Sequence, residues 1–172
     1  MKTIFSTILA FILIVSTYAQ GPTASGDAGT SVEAEWQIIN LGGGVSYEGY
    51  VLKGNFNGEG TMIYQDSSVY SGDWKDGMRD GKGTMSWRSG NVYQGKWKED
   101  IQEGTGTMRW KNGDLYDGKF DNNKPNGRGT IIYADGSKYT GLFANGKPHG
   151  KGKQKSVDGI VTKGVWVNGI KQ

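Results

Sequence analysis

The residue types that most often perform catalysis or bind metals are scarce in this sequence. It contains one histidine, His149, and no cysteine among its 172 residues. A Ser-His-Asp or Cys-His site would need His149 as its base, and no nucleophile stands in a suitable context near it. Thiolate zinc sites are excluded, and a single histidine cannot make a metal site by itself. We therefore interpret His149, which follows Pro148, as a solvent-exposed turn residue.

Carboxylates and glycine-rich stretches suggest two other kinds of chemistry. Glycosidases need two opposed carboxylates across a cleft, whereas Asp73, Asp117 and Glu59 occupy polar positions of predicted strands with no evident deep pocket. The stretch GKGT at 81–84 lacks the Gly-x-x-x-x-Gly-Lys-Ser/Thr spacing of a phosphate-binding loop and lies inside a predicted strand. We therefore expect a protein that is not an enzyme and uses no metal or cofactor.

Basic side chains are concentrated near the C-terminal end of the sequence. The net charge is +3, yet residues 147–172 hold six lysines and a single acid, Asp158. Clustered cations attract anionic surfaces through their summed potential, although a charged strand face is usually only solvated and guards against edge pairing. Both interpretations stay open. The candidate anion- or partner-binding residues are Lys147, Lys151, Lys153, Lys155 and Lys163, and other basic residues recur at fixed registers: Lys82, Arg128 and Lys151, then Lys96 and Lys119.

Aromatic residues and glycines recur with a period of 23 residues. One register holds Tyr47, Tyr70, Tyr93, Tyr116 and Tyr139, with a glycine two positions later in every repeat. Tryptophans could stack on sugars or bases, but identical placement in every repeat is what a packed ladder requires. We predict a structural ladder that includes Tyr70, Gly72, Trp74, Gly81, Gly83, Met85, Trp87, Tyr93, Gly95, Trp97 and Trp110.

The repeat alternates between apolar or glycine positions and polar positions, as in Tyr-Ser-Gly-Asp-Trp at 70–74. A period of two residues predicts β-strands. Asn-Gly and Asp-Gly pairs follow both kinds of strand and favour type I′ hairpin turns, in which both central residues have positive φ. Asp100 and Asn123 replace turn glycines, and both residue types tolerate that backbone conformation. We predict such turns at 76–77, 145–146 and 168–169, and equally at 112–113, 135–136 and 158–159.

These patterns together predict an all-β fold. Two strands per repeat and a hairpin at every junction give an elongated single-layer antiparallel β-meander solenoid of 23-residue hairpin repeats, about five and a half in number. A single sheet has no second layer to bury its apolar face, so it must twist or curl until neighbouring repeats pack on one another. Glycines at alternate positions would let aromatic rings lie along the backbone.

The pattern Tyr-x-Gly-x-Trp/Phe followed by Gly-x-Gly-Thr-Met resembles the MORN (membrane occupation and recognition nexus) repeat over residues 47–172. The resemblance implies a twisted single-sheet solenoid with a role in binding, scaffolding or dimerisation, and lipid binding is also proposed for some members. We expect a degenerate N-terminal capping half-repeat at 34–46. The repeats are then 47–69, 70–92, 93–115, 116–138, 139–161 and a partial unit at 162–172.

The N-terminal region has a different character from the repeats. Residues 1–19 carry Lys2, an apolar run and then small residues up to Ala19, which is the layout of a secretory signal peptide. Residues 20–33 show no periodicity and are predicted to be a flexible leader. We therefore expect the protein to enter the secretory pathway and be secreted or luminal, with membrane attachment through an uncleaved signal anchor as the alternative.

Two functional hypotheses follow. The first is a non-enzymatic MORN-type protein-interaction or scaffold module that can self-associate, for example as a homodimer. The alternative is a binding module for anionic lipid headgroups or polysaccharide, acting through the polar face and the C-terminal lysines. The near-balanced charge gives no reason to expect nucleic acid as a partner.

Overall fold

The computed structural model describes residues 32–172, so the expected signal peptide and nearly all of the expected leader lie outside the described residues. Thirteen strands form one open antiparallel sheet in chain order, each pairing only with its neighbours in sequence. This confirms the predicted all-β single-layer meander. The strands are β1 (Glu35–Gly42), β2 (Val45–Leu52), β3 (Asn55–Ile63), β4 (Val69–Lys75), β5 (Met78–Ser86), β6 (Val92–Lys98), β7 (Ile101–Arg109), β8 (Leu115–Asp121), β9 (Lys124–Ile132), β10 (Lys138–Ala144), β11 (Lys147–Lys155), β12 (Val161–Val167) and β13 (Ile170–Lys171).

Tight two-residue turns join the strands at one side of the sheet, as predicted. Asn145 and Gly146 have φ of +50° and +84°, the pair of positive values that a type I′ turn requires. Asp100 and Asn123 adopt φ of +68° and +63° in place of glycine. The six turns at this side are 53–54, 76–77, 99–100, 122–123, 145–146 and 168–169, and the turn at 43–44, at the other side, also has two positive φ values.

The prediction of the same turn type at the other side of the sheet, at 112–113, 135–136 and 158–159, is wrong. Only the glycine of each pair has positive φ, for example +98° at Gly113. The Gly113 amide donates to the Trp110 carbonyl at 2.9 Å, and the Trp110 amide donates to the Asp114 carbonyl. This is the pattern of a three-residue loop in which a β-turn precedes a left-handed glycine. The Asn112 side chain accepts from the Asp114 amide at 3.1 Å, a local bond that favours this alternative.

One face of the sheet, here called the inner face, carries the repeated tyrosines, and the opposite face is called the outer face. The five tyrosines are at most 1% exposed. The Tyr70 ring makes edge-to-face contacts with Trp74 of its own repeat, at a centroid distance of 5.1 Å, and with Trp97 of the next, at 5.5 Å. Packing between successive repeats thus replaces the missing second layer, as the sequence predicts.

Each buried tyrosine lies over glycines and ends on a backbone carbonyl. A Cβ atom on Gly95 would lie 2.5 Å from the Tyr93 hydroxyl oxygen and 2.6 Å from the Cα of Gly106. The strand register shifts between Gly95 and Trp97, where a β-bulge interrupts the ladder. The Tyr93 hydroxyl donates to the carbonyl of Lys96, inside that bulge, at 2.9 Å. The same bond recurs at every repeat tyrosine, so the ring, the glycine pair and the bulge act as one unit.

The part of the chain from residue 32 onward contains no helix long and apolar enough to cross a bilayer.

Candidate binding surfaces

His149 is not in a turn, contrary to the sequence interpretation. The two-residue turn at 145–146 ends before it, so His149 lies within β11 and is half-buried. Its Nδ1 accepts a long hydrogen bond from the Asn168 amide at 3.5 Å. The side chain therefore connects β11 to the turn at 168–169.

The carboxylates considered for catalysis are spread over the outer face. Glu59 and Asp73 face one another across β3 and β4, whereas Asp117 lies on β8. Asp73 Oδ2 accepts from the Lys82 amide at 2.7 Å, which gives this carboxylate a structural contact. Residues 81–84 lie within β5. Over residues 32–172, no three His, Asp or Glu side chains are grouped so that they could hold a metal ion.

The ladder aromatics differ in exposure according to their place in the repeat. Trp74 and Trp97 are 5% and 4% exposed, and their indole nitrogens donate to the carbonyls of Gly60 and Gly83 at 3.0 and 3.3 Å. Trp87 and Trp110 pack against the same core but remain half-buried beside the loops. The inner face is therefore largely occupied by its own packing.

The structure brings together four of the five lysines proposed from the sequence. Lys151, Lys153 and Lys155 alternate along β11 on the outer face, and Lys163 on β12 lies directly opposite Lys153. Lys147 is separated from them, because it pairs with Ala144 beside the turn at the other end of β11.

Sequence reasoning missed one member of this group. Lys138 on β10 lies directly opposite Lys155. Pairing residues outward from the Asn145-Gly146 turn in the sequence would have placed Lys138 near Lys155. The bulge in β10 shifts this pairing, so the exact partner was not predictable. We call Lys138, Lys151, Lys153, Lys155 and Lys163 the lysine cluster, and all five side chains are exposed.

Four members of the lysine cluster, all except Lys163, line a groove on the outer face. One cleft of about 330 Å³ is bounded by Thr130, Lys138, Thr140, Lys153, Lys155 and Val161. An adjoining cleft of about 550 Å³ is lined by Arg128, Leu142, Lys151 and Asp117 and shares Thr130 and Thr140 with the first. The two threonine hydroxyls are hydrogen-bonded to each other at 3.1 Å. We call the two clefts together the lysine groove.

The positive charge of the lysine cluster is not neutralised by ion pairing. Within residues 32–172 the one ion pair joins Arg79 to Asp100, at 2.7 Å, far along the sheet. The two nearest acids in sequence, Asp135 and Asp158, are held in their loops by hydrogen bonds from Ser137 and Ser156, which lower the pKa of both carboxyl groups. The groove therefore presents unpaired cations to solvent.

A second distinctive surface lies at the opposite end of the sheet. On β1 and β2, Trp36, Ile38 and Tyr50 are 52%, 78% and 40% exposed on the outer face. Trp36 and Tyr50 contact one another edge to face at 5.2 Å. We call these three residues the edge cluster. In β1, Trp36 and Ile38 face outward, whereas Gln37 and Ile39 face inward. This alternation is visible in the sequence, but the interpretation of residues 34–46 as a cap did not use it.

Comparisons with known proteins give one family match. The family model described as MORN repeat matches residues 47–69, 70–92, 93–115, 116–138 and 139–161. No curated protein sequence matches the chain. Among solved structures, the TCP domain of SAS-4 (dCPAP) of Drosophila melanogaster, determined in complex with a proline-rich motif of Ana2 (dSTIL), is similar with 13% identity and a TM-score of 0.43. That match covers 84% of this chain and 86% of the other.

Proposed function

The chain belongs to the MORN repeat family, and from this premise we propose that it is a non-enzymatic protein-interaction module that acts as a scaffold and associates with itself. The side chains of the inner face are buried by packing between repeats. Contacts with other molecules are therefore expected on the outer face and at the ends of the sheet. Repeat proteins commonly bind through such extended surfaces.

The edge cluster is the observation that carries this proposal. No strand of residues 32–172 covers the outer edge of β1, and β1 has one charged residue, Glu35. An uncovered strand with few charges offers backbone groups for pairing with another chain. Exposed aromatic and aliphatic side chains next to that edge add apolar area of the kind that interfaces bury.

The test is self-association and partner capture by the full chain. Light scattering and crosslinking should show a dimer or larger assembly, and the double variant Trp36→Ser/Ile38→Ser should shift it towards monomer. The matched control is Leu115→Ser/Ile132→Ser, because these residues form an exposed apolar pair on the outer face in the middle of the sheet. A strictly monomeric chain that also crosslinks to no partner would contradict the proposal.

We also propose that residues 1–19 direct the chain into the secretory pathway. Their apolar run after Lys2 supports this. Sequencing of the mature N-terminus and protease protection in fractionated cells test it. A mature chain that begins at Met1 and stays protease-sensitive on the cytosolic side would refute the assignment.

A further inference from the structure

The lysine groove has a spacing that matches an extended peptide. Lys151, Lys153 and Lys155 project from the same face at every second residue of β11. Side chains two residues apart in a strand are separated by roughly 6.8 Å, so the three span roughly 14 Å. A partner chain in extended conformation has the same two-residue period. Carboxylates at alternate positions of such a chain would meet the three ammonium groups in register.

The free protein holds these lysines in an unfavourable arrangement. Lys153 faces Lys163 across β11 and β12, and Lys155 faces Lys138 across β10 and β11. Directly opposed like charges destabilise an antiparallel pair. Lys82 and Lys96 oppose one another in the same way, but four acids line the cleft beside them: Asp73, Asp80, Glu99 and Glu103. The lysine groove is lined by one acid, Asp117, so its repulsion is less compensated. A local arrangement that costs stability without a compensating contact is typical of a functional site. An anionic ligand would relieve this repulsion.

The shape of the groove favours a chain-like ligand. Its two clefts follow one another along the direction of β10 and β11 and meet at Thr130 and Thr140. Arg128 is a fifth cation along the two clefts, beside the four lysines that line them, and Leu142 supplies an apolar wall. The threonine hydroxyls provide hydrogen-bonding groups between the two charged parts. A polymer lying along the strands can contact both clefts at once.

We propose that the lysine groove binds an acidic segment of a partner protein in extended conformation, with carboxylates at alternate positions facing Lys151, Lys153 and Lys155. The inference rests on the proposed function, since it assigns the chemistry of the partner to a protein-interaction module. Lys138, Lys163 and Arg128 flank the bound segment. Lys147 takes no part, because it lies at the other end of β11 beside the turn.

The test uses the full chain and two labelled peptides of identical composition, one alternating Glu and Ser and one with the glutamates in a single block. Fluorescence anisotropy should show tighter binding of the alternating peptide and weakening as salt rises. Charge reversal in Lys153→Glu/Lys163→Glu should lower its affinity by about tenfold or more, since close charge pairs contribute strongly to such interfaces.

The matched control is Lys82→Glu/Lys96→Glu. These residues are also directly opposed lysines on the outer face, so this variant makes the same change of charge elsewhere on the sheet. Its affinity should stay within about twofold of the wild type, and so should that of Lys147→Glu. Thermal unfolding of all variants by circular dichroism separates lost binding from lost folding.

Several outcomes would overturn the inference. These are equal weakening by both double variants, equal affinity for the two peptides, and unchanged binding by Lys153→Glu/Lys163→Glu. Tighter binding of anionic vesicles or of heparin than of the peptide, abolished by the same reversal, would instead assign the groove to a lipid surface or a polysaccharide. None of these results concerns the edge cluster. The proposed function is decided separately, by the self-association and crosslinking experiments.

Discussion

At the residue scale, the tyrosine of each repeat is fixed at several points. Its ring covers two glycines on adjacent strands, its edge meets aromatic rings of two repeats, and its hydroxyl satisfies a carbonyl that the bulge frees from the ladder. Buried carbonyls left without a partner cost free energy. The glycine, the tyrosine and the bulge therefore depend on one another, which explains why all three recur together.

Adding a methyl group at one of these glycines should be severe. The Gly95→Ala variant would force the new Cβ against the Tyr93 hydroxyl and the Gly106 backbone. We expect it to lower the free energy of unfolding by about 3 kcal/mol, at the upper end of overpacking effects. Gly169→Ala is the control, because nothing lies within 4 Å of its Cβ and only its φ of +88° is unfavourable. Its cost should be about 1 kcal/mol. Urea denaturation measures both, and similar losses would contradict this account.

The tyrosines also predict loss of stability in alkali. Burial raises the pKa of Tyr47 and of Tyr93 to about 12, above the value of about 10 for an unfolded tyrosine. The folded state therefore binds these protons more tightly, so the stabilisation is complete below about pH 10 and is lost as pH rises towards 12. Denaturant unfolding followed with tyrosinate absorbance should show this decline. The decline should be shallower in Tyr93→Phe. A free energy of unfolding that stays constant through this range would contradict the prediction.

The same variant tests the hydroxyl bond at neutral pH. Tyr93→Phe leaves the Lys96 carbonyl without its donor and should cost about 1–2 kcal/mol. Tyr50→Phe is the control, since the Tyr50 hydroxyl is exposed and bonds to no group within residues 32–172. Its free energy of unfolding should change by less than about 0.5 kcal/mol.

At the element scale, the two sides of the sheet are built differently. Along the tight-turn side, an amide of each turn after the first donates to the carbonyl of a residue near the preceding turn, as from Gly146 to Pro125 at 2.8 Å. Along the loop side, a side chain makes the link. Asn91 accepts from the Lys111 amide and Asp114 from the Ala134 amide, both at 2.8 Å. Successive hairpins are thus joined at both margins as well as through the strands.

The tight turns differ in how well their residues suit them, which gives a stabilising prediction. Lys53 has φ of +50° and precedes Gly54 in a turn whose counterparts at 145–146 and 168–169 have Asn-Gly. Asparagine adopts the left-handed region at lower cost than lysine. We expect Lys53→Asn to raise the free energy of unfolding by about 0.5–1 kcal/mol. Lys75→Asn, within β4, should not stabilise, because asparagine is disfavoured in strands. Thermal unfolding compares them, and an equal gain in both would contradict the explanation.

The sequence predicted the strands better than the turns, for a physical reason. Period-two alternation and the glycine registers define each strand and its inner face, so the aromatic ladder follows directly. A Gly after Asn or Asp indicates a left-handed residue but not the length of the loop around it. At 112–113 the Asn112 side chain bonds the Asp114 amide and selects a longer loop. That bond depends on local geometry that a two-residue motif does not encode.

At the scale of the whole sheet, every repeat contacts only its neighbours, so stability should vary with position. Trp97 touches Tyr93 of its own repeat and Tyr70 of the preceding one, at 5.2 and 5.5 Å, in the middle of the array. Trp166 contacts Tyr139 at 4.9 Å, near the last strand. In such arrays the stability is approximately a sum of repeat and interface terms.

Alanine at these two tryptophans should therefore act differently. We expect Trp97→Ala to cost about 3–5 kcal/mol and to increase hydrogen exchange in the repeats on both sides of it. Trp166→Ala should increase exchange mainly in β11–β13 and leave the central strands protected. Hydrogen exchange resolved by residue provides the comparison. Uniform loss of protection in both variants would show a sheet that unfolds only as a whole.

The candidate surfaces were partly predictable at this scale. The excess of lysine after residue 147 is evident in the sequence, and the structure places four of the five named residues together. The pairing of Lys138 with Lys155 and the separation of Lys147 depend on strand register and on the bulge in β10. The edge cluster was not predicted, although the alternation in β1 is visible in the sequence, because the contact between Trp36 and Tyr50 depends on the register of β1 and β2.

The order of the strands has a mechanical consequence. Since each strand pairs only with its neighbours in sequence, a pulling force applied at β1 and β13 would load the outermost hairpins first and break their hydrogen bonds one after another. Release of a nine-residue strand such as β5 would add roughly 30 Å of slack. Under tension the sheet would lengthen in steps and could shorten again strand by strand, as an extensible tether does.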